Sequence, residues 1–221
     1  MTDANRRQLS SRKIPFFQSL AKRLVTWGLT PNQVSVASSL IAILGGMAFA
    51  SSATAEGTAI RIILIAIGSI AIQLRLLCNM IDGLMVIEGG LKTSAGEIFN
   101  DFPDRVSDVA LIMGAGIMAQ QVNPWMLHVA WAASLLAVTT AYVRTLGASI
   151  SGKSDFSGPM AKQHRMFFLT LGGLASIGEI IFAAPAYSMG IILALIAFGS
   201  LLTVVRRLLR LSSSLQDFKK L

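Results

Sequence analysis

Long runs of apolar residues, separated by short polar stretches, follow one another along the whole chain. Six of these runs approach the ~20 residues that an α-helix needs to cross a bilayer. They cover residues 34–51, 60–85, 98–118, 125–146, 167–182 and 189–205. Turn-forming pairs such as Asn123-Pro124 separate them, as expected between packed helices. The pattern predicts an all-α integral membrane protein that folds as a six-helix bundle.

Composition and charge agree with a membrane location. Of the 221 residues, 53% are hydrophobic and only 14% are charged, and the mean hydropathy is +0.65. This is too little polar surface to coat a soluble globule. The net charge of +8 comes from cations that lie beside the apolar runs, which favours anionic lipid headgroups over nucleic acid as the partner.

The distribution of Lys and Arg predicts how the chain is oriented. The N-terminal arm, the loop at Lys92, the segment 153–165 and the tail 206–220 carry most cations, and they alternate with loops that are nearly free of them. By the positive-inside rule, both termini face the cytoplasm in a multi-pass cell (inner or plasma) membrane. We therefore expect three regions: an N-terminal segment at 1–28, a six-span domain at 29–210 and a cytoplasmic tail at 211–221.

The N-terminal segment places apolar residues among its cations. We expect it to form an amphipathic helix that lies in the membrane interface. The apolar residues are Ile14, Phe16, Phe17, Leu20 and Leu24.

Acidic and amide side chains occur at the ends of the second and third runs, where each ionisable group costs about 2.5 to 3.5 kcal/mol to insert. Asn79 and Asp82 are three residues apart and share a helix face. In the next run, a second polar set falls within an arc of about 100° on one helix. Its members are Glu97, Asn100, Asp101, Asp104 and Asp108. Such oxygen ligands suit hard divalent ions, although a solvated helix start or a structural polar cluster would give a similar pattern.

The spacing of these residues matches a longer motif. It runs as Asn79-x-x-Asp82-Gly83-x-x-Val86-Ile87, then eight residues, then Gly96-x-x-x-Asn100-x-x-x-Asp104. This register resembles the motif D-x-x-D-G-x-x-A-R, eight residues, G-x-x-x-D-x-x-x-D of the CDP-alcohol phosphotransferase family. Asn replaces the first and third motif acids here, and Val-Ile replaces Ala-Arg. The segment Leu29-Thr30-Pro31-Asn32 is similar to the N-terminal signature of the same family.

The resemblance implies an activity and a role for each matched residue. A family member transfers the phosphatidyl group of CDP-diacylglycerol to an acceptor alcohol and releases CMP. One or two Mg²⁺ or Mn²⁺ ions would be held by Asn79, Asp82, Asn100 and Asp104, with Asp108 as a further candidate. Asp104 would be the general base. Gly83, Gly96 and Asn32 would line the nucleotide, the site would face the cytoplasm, and the protein would form a homodimer.

Cations beyond the motif suggest what the acceptor is. Arg144, Lys162 and Arg165 are expected on the same side as the acids, where they would bind the phosphate of glycerol 3-phosphate or another phosphorylated alcohol. Positive-inside topology alone would also explain them. Arg75, four residues before Asn79, is expected to be an internal counter-ion for the acids. Arg105 would either replace the missing motif arginine or reach the headgroups.

Two other interpretations stay open at this point. In the first, the chain is a catalytically weak relative that binds lipid or nucleotide, because the two Asn replacements remove formal negative charge from the site. A small cation transporter would also use intramembrane carboxylates. The clustering of the acids at one membrane face, rather than at the midplane, disfavours transport.

Overall fold

The computed structural model describes residues 15–91, 95–152 and 154–218, and this part of the chain forms seven α-helices and no β-strand. The all-α prediction is confirmed. The helices are α1 (Pro15–Thr26), α2 (Pro31–Ser52), α3 (Thr58–Glu88), α4 (Gly96–Ala119), α5 (Trp125–Ser151), α6 (Lys162–Ile181) and α7 (Ser188–Phe218).

Each of the six apolar runs coincides with one of the helices α2 to α7, and only Phe182, at the end of the fifth run, follows the last residue of its helix. Four of these helices are long and apolar enough to cross a membrane, namely α2, α3, α5 and α7. The other two are more polar, because α4 carries the charged residues of the motif and α6 begins with a cluster of cations. The chain is thus a helical protein with several membrane-spanning helices, while the number of six spans stays a prediction. Helix α7 also continues past residue 210, where the sequence suggested a separate tail.

The segment Leu29-Thr30-Pro31-Asn32 forms the start of α2. The Thr30 hydroxyl accepts a hydrogen bond from the Gln33 N–H at 3.3 Å, and the Gln33 side-chain oxygen accepts one from the Thr30 N–H at 2.9 Å. This capping box satisfies two backbone donors, and Pro31 takes the first helical position, where no N–H is needed. Helix capping therefore accounts for Thr30 and Pro31, and Asn32 is left half-buried on the first turn.

Helix α1 packs against α3. Its residue Ala21 is fully buried, and Phe17, Leu20 and Leu24 contact a cluster on α3 that includes Leu84. The opposite face is open, since Phe16 is 68% exposed. Of the predicted apolar face, Ile14 lies outside the described residues. The segment is thus a helix with one buried face, and its position in the membrane interface stays a prediction.

Direct backbone contact joins α2 to α4. A Cβ on Gly46 would collide with the carbonyl of Ala110, and a Cβ on Gly114 would collide with the backbone of Gly46. Small residues of this kind let helices approach closely in a membrane, where packing rather than hydrophobicity drives association. Because α2 also packs along α3, it brings the polar ends of α3 and α4 together.

The remaining helices close the bundle around one apolar core. Helix α5 packs against α4 and α7, and α6 packs against α3 and α7. Phe49, Leu111 and Leu169 are fully buried in this core, whereas Leu135 and Phe198 are more than 60% exposed. Large apolar side chains on the outside are those expected of a lipid-facing surface.

Candidate active site

The two halves of the motif meet where α3 faces α4. The Asn79 amide nitrogen donates to Asp104 Oδ1 at 2.9 Å, so the first and last motif positions are in direct contact. The Asn79 amide oxygen accepts a hydrogen bond from the Ser38 hydroxyl at 2.9 Å. These two bonds hold the amide between α2 and α4. The juxtaposition that the motif implied is therefore present in the fold.

Asp82 lies one turn further along α3 and is only 5% exposed. The Ser35 hydroxyl donates to its Oδ2 at 2.6 Å. Ser35 and Ser38, three residues apart on α2, thus support two motif residues that belong to α3. The sequence analysis did not identify these serines, although hydroxyl groups repeated at helical spacing inside an apolar run were a visible signal.

Asp104 is bonded through both carboxylate oxygens. In addition to Asn79, Arg75 Nη2 donates to Oδ1 at 3.3 Å, and Lys162 Nζ donates to Oδ2. Asp104 is 8% exposed, and the Lys162 side chain is 25% exposed. The candidate base is therefore buried beside a partly exposed lysine, and it is held by one amide and two cations.

Asp108, one turn beyond Asp104, is enclosed between two arginines. Arg75 Nη2 donates to one oxygen at 2.8 Å and Arg165 Nη2 donates to the other at 2.6 Å. All three side chains are at most 1% exposed. The prediction that Arg75 is an internal counter-ion is confirmed by these contacts. Arg165 also donates to the Thr140 hydroxyl and the Met160 carbonyl, so its guanidinium is directed into the protein.

A second, more open group of charges surrounds Asp101. Arg144 Nη2 donates to both of its oxygens at 2.9 and 2.7 Å, and Arg105 Nη2 lies 3.4 Å from Oδ1. The guanidinium of Arg144 also lies over the ring of Phe156, with 5.6 Å between its central carbon and the ring centroid. The Asp101 side chain is 39% exposed. One carboxylate for two guanidinium groups leaves a positive excess at a solvent-accessible position.

The segment between α5 and α6 is anchored by Arg207 of α7, which the sequence analysis assigned only to the positive-inside pattern. Arg207 is 6% exposed and donates to the backbone carbonyls of Ser157 and Thr140 at 2.9 and 2.6 Å. In the same segment, partial burial acts to raise the pKa of Asp155. Hydrogen bonds from Ser157 and the nearby Arg207 and Arg210 outweigh it and hold that pKa below its usual value.

The remaining residues predicted for the site lie at its edge. Asn100 is exposed on the first turn of α4. Gly96 is the first residue of that helix, and Gly83 on α3 is partly exposed. Asn32 is half-buried at the start of α2. Their roles in binding a metal ion or nucleotide stay predictions.

The donor atoms suit a hard divalent ion, but few of them are charged. Carboxylate oxygens of Asp82 and Asp104 and the amide oxygen of Asn79 are the ligand types that Mg²⁺ and Mn²⁺ prefer. The Lys162 ammonium pairs with the Asp104 carboxylate at this place. Within the described residues, however, no three His, Cys, Asp or Glu side chains are grouped to hold a metal ion on their own.

The chain is similar to known proteins both in sequence and in structure. No protein-family profile matches the chain. The inner membrane protein YnbA of Escherichia coli is 26% identical over 165 residues, which are 73% of this chain and 77% of that protein.

Solved structures of the phosphatidylinositol phosphate synthase of Mycobacterium tuberculosis superimpose on most of the chain. The structure with CDP-DAG bound has a TM-score of 0.75 at 20% identity and covers 90% of this chain and 94% of that one. The complex with manganese and citrate has a TM-score of 0.74 at 21% identity, with 88% of each chain covered. The chain therefore has the fold of a known CDP-alcohol phosphatidyltransferase, and the predicted resemblance is confirmed at the level of the fold.

Proposed function

We propose that this chain is a CDP-alcohol phosphotransferase that moves the phosphatidyl group of CDP-diacylglycerol to an alcohol and releases CMP. The observation that carries the proposal is the contact between Asn79 and Asp104, with Asp82 beside them. It assembles the motif in a fold that is shared with a synthase solved with CDP-DAG bound. The sequence motif and the fold are independent kinds of support for the same activity.

Asn79, Asp82, Asn100 and Asp104 are the residues that would hold a divalent ion, Mg²⁺ or Mn²⁺. Such an ion, when bound, neutralises the diphosphate and the CMP leaving group. A manganese complex of the synthase supports this choice of cofactor. Gly83 and Gly96 present no side chain to the nucleotide, and Asn32 lies on the neighbouring helix start with a half-buried amide.

Asp104 is the group placed to act on the acceptor. Its carboxylate would take the proton of the attacking hydroxyl, whose oxygen then forms a bond to the phosphorus of the phosphatidyl group. The bond between that phosphorus and the bridging oxygen breaks, and CMP leaves with that oxygen. Lys162 must first release Oδ2 of Asp104, and its partly exposed ammonium is well placed to move to an anionic acceptor instead.

The acceptor is best described as a phosphorylated alcohol, such as glycerol 3-phosphate. Arg144 and Arg105 share one carboxylate, Asp101, and all three lie in the partly exposed region of the site. A phosphate would complete the pairing of the two guanidinium groups. Arg165 was predicted for the same task, but its bonds to Asp108 suit it better to positioning α4 and α6.

The setting of the enzyme follows from the same proposal. Six spans, α2 to α7, would cross the membrane, with α1 at the cytoplasmic interface and the site facing the cytoplasm. The cation-rich ends of the helices support this orientation, and the inner membrane location of the relative from Escherichia coli agrees with it. The family resemblance favours a homodimer. A label at Ala55, in the turn between α2 and α3, should be accessible only from outside the cell.

The proposal is tested by measuring CMP release. Purified protein in detergent is incubated with CDP-diacylglycerol, Mn²⁺ or Mg²⁺, and a panel of free and phosphorylated alcohols. We expect release only with CDP-diacylglycerol and a phosphorylated alcohol, and loss of release in Asp82→Ala. Glu56→Gln, an exposed acid in the turn between α2 and α3, is the matched control. No CMP release with any acceptor would contradict the proposal.

A second candidate function is supported by two observations. Both oxygens of Asp104 are already bonded by protein donors, and two motif acids are Asn. These features suit a relative that binds CDP-diacylglycerol without turning it over. If the protein binds this lipid but releases no CMP with any acceptor of the panel, that function is favoured over the transferase.

A further inference from the structure

The charges inside the site balance without any bound ion. Three carboxylates, those of Asp82, Asp104 and Asp108, are equal in number to three cations. Asp104 and Asp108 form ion pairs with these cations, and Asp82 accepts a hydrogen bond from the Ser35 hydroxyl. The cations are Arg75, Lys162 and Arg165. Apart from Lys162, every one of these residues is less than 9% exposed. The cluster is therefore electrically neutral in a place where water does little to screen charge.

The two amides at motif positions contribute to this neutrality. Asn79 and Asn100 stand where the family motif has Asp, so the site lacks two negative charges that would attract a dication. The Asn79 amide is occupied on both sides, since it donates to Asp104 and accepts from Ser38. A metal ion arriving alone would have to compete with Lys162 for the Asp104 carboxylate.

One cation of the neutral cluster also carries donor atoms that lack an acceptor. Arg75 is fully buried, and its Nε and Nη1 atoms have no hydrogen-bond partner among the described residues. Buried guanidinium atoms without an acceptor are costly and favour the arrival of an anion nearby. A dication alone cannot accept a hydrogen bond from these donors, whereas the oxygens of a diphosphate can.

We propose that this chain binds a divalent ion and the diphosphate of its CDP-linked substrate only as a pair. The inference rests on the proposed function and concerns how its cofactor is acquired. Each phosphate of the diphosphate carries a negative charge, so ion and diphosphate together leave the neutral cluster neutral. Either partner alone would leave uncompensated charge in a poorly solvated site. By linkage, the ion must raise the affinity for the lipid by the same factor as the lipid raises the affinity for the ion.

The test is a pair of titrations on the full chain in detergent micelles. Calorimetry measures Mn²⁺ binding under three conditions: without any ligand, with CDP-diacylglycerol and with uncharged cytidine. Binding of CDP-diacylglycerol is then measured in the presence of Mn²⁺ and in the presence of a chelator. We expect Mn²⁺ to bind at least about tenfold more tightly with CDP-diacylglycerol, and the lipid to gain the same factor from Mn²⁺. Cytidine should give no gain.

Variants that change the charge of the cluster sharpen the test. Asn79→Asp combined with Asn100→Asp adds two carboxylates, and Lys162→Gln removes a cation. Both should allow Mn²⁺ to bind without the lipid and reduce the coupling to less than about threefold. Arg206→Gln removes an exposed cation of α7 outside the cluster and should leave the coupling unchanged.

The outcomes separate this inference from the proposed function. Tight Mn²⁺ binding by the parent chain without lipid, with lipid binding intact, would overturn the coupling and leave the transferase proposal in place. Equal affinity for CDP-diacylglycerol in the presence of Mn²⁺ and of chelator would likewise overturn the coupling but not the transferase proposal. Failure of CDP-diacylglycerol to bind under any condition would overturn both.

Discussion

The two ends of the helix bundle use carboxylates in different ways. At the end formed by Asn79 and Asp104, the carboxylates pair with Arg and Lys side chains from other helices. At the opposite end, Glu179 of α6 caps the start of α7. Its Oε1 accepts bonds from the N–H groups of Tyr187 and Ser188 at 3.1 and 2.8 Å and from the Ser188 hydroxyl at 2.6 Å.

The two ends of the bundle also differ in polarity. Near the α4–α5 turn and the start of α7 lies an open cavity of about 520 Å³ with mostly apolar walls. Residues lining it include Ala119, Val122, Met126, Gly190 and Ala194. The end that carries the motif is instead crossed by ion pairs in a region where each buried charge is costly. An arrangement this costly is expected at a site that works on charged substrates, whereas the Glu179 cap serves one helix end.

The largest expected difference between the two ends is in activity. Asp104→Asn should reduce CMP release by about 10²- to 10⁴-fold, because the amide cannot accept a proton. Glu179→Gln at the opposite end keeps an oxygen acceptor for the α7 cap and should retain near-parental turnover. Steady-state CMP release from CDP-diacylglycerol compares the two variants. Robust turnover by Asp104→Asn would remove Asp104 from the role of base.

The same residue separates ligation from proton transfer. Asp104→Asn should retain more Mn²⁺ in the presence of CDP-diacylglycerol than Asp104→Ala, since an amide oxygen can still coordinate a hard ion. Calorimetric titration of both variants checks this order. Equal Mn²⁺ affinities would show that Asp104 does not contact the ion.

The next effect concerns stability. Asp108→Ala leaves Arg75 and Arg165 buried without their shared counter-ion and should cost about 3–5 kcal/mol in the free energy of unfolding. Glu179→Ala removes a helix cap at the opposite end and should cost only about 1 kcal/mol. Denaturant-induced loss of helical circular dichroism in detergent measures both. Equal losses would mean that the Asp108 network is no more important to the fold than an ordinary cap.

A smaller difference is expected between two helical glycines. Gly114→Ala places a methyl group against the Gly46 backbone, so α2 and α4 must separate, at a cost of about 1–3 kcal/mol. Gly178, near the opposite end of α6, has no other atom within 4 Å of an added Cβ. Gly178→Ala should be neutral or stabilising by about 0.5–1 kcal/mol. The midpoint temperatures of thermal unfolding are compared for the two variants. Similar midpoints would contradict the close contact between α2 and α4.

The smallest effect is expected at the open edge of the site. Arg144→Ala should raise KM for the phosphorylated alcohol by about tenfold with little change in kcat, because the arginine would bind ground state and transition state alike. Arg206→Ala, at an exposed position on α7, should leave KM unchanged. An unchanged KM in Arg144→Ala would exclude this arginine from acceptor binding.

Much of the fold could be predicted from the chain because apolar runs report helix position directly. Each run lies in one helix, but the polar sequences of α4 and α6 show why hydropathy alone does not count the spans. The resemblance to the family motif likewise implied that Asn79 and Asp104 would share one site, and the two side chains are in contact.

The partners of these residues were less predictable, because they depend on how distant helices pack. Ser35 and Ser38 reach the motif only through the contact of α2 with α3. Arg207 could not be distinguished from its neighbouring cations until its bonds to Ser157 and Thr140 were seen. Arg165 was predicted to bind substrate, yet it lies inside the ion-pair network. Charge and spacing indicated the chemistry of the site. Tertiary contacts determine which charged side chains are buried in ion pairs and which lie at the open edge of the site.

The most direct test of the proposed transferase is the balance between products. Parent protein is incubated with CDP-diacylglycerol, Mn²⁺ and a phosphorylated alcohol, while CMP and the new phospholipid are quantified together by mass spectrometry. We predict that one phospholipid carrying the acceptor forms for each CMP released, and that Asp104→Asn forms at least about a hundredfold less of both. CMP without the phospholipid product, or neither product from the parent protein, would contradict phosphatidyl transfer as its function.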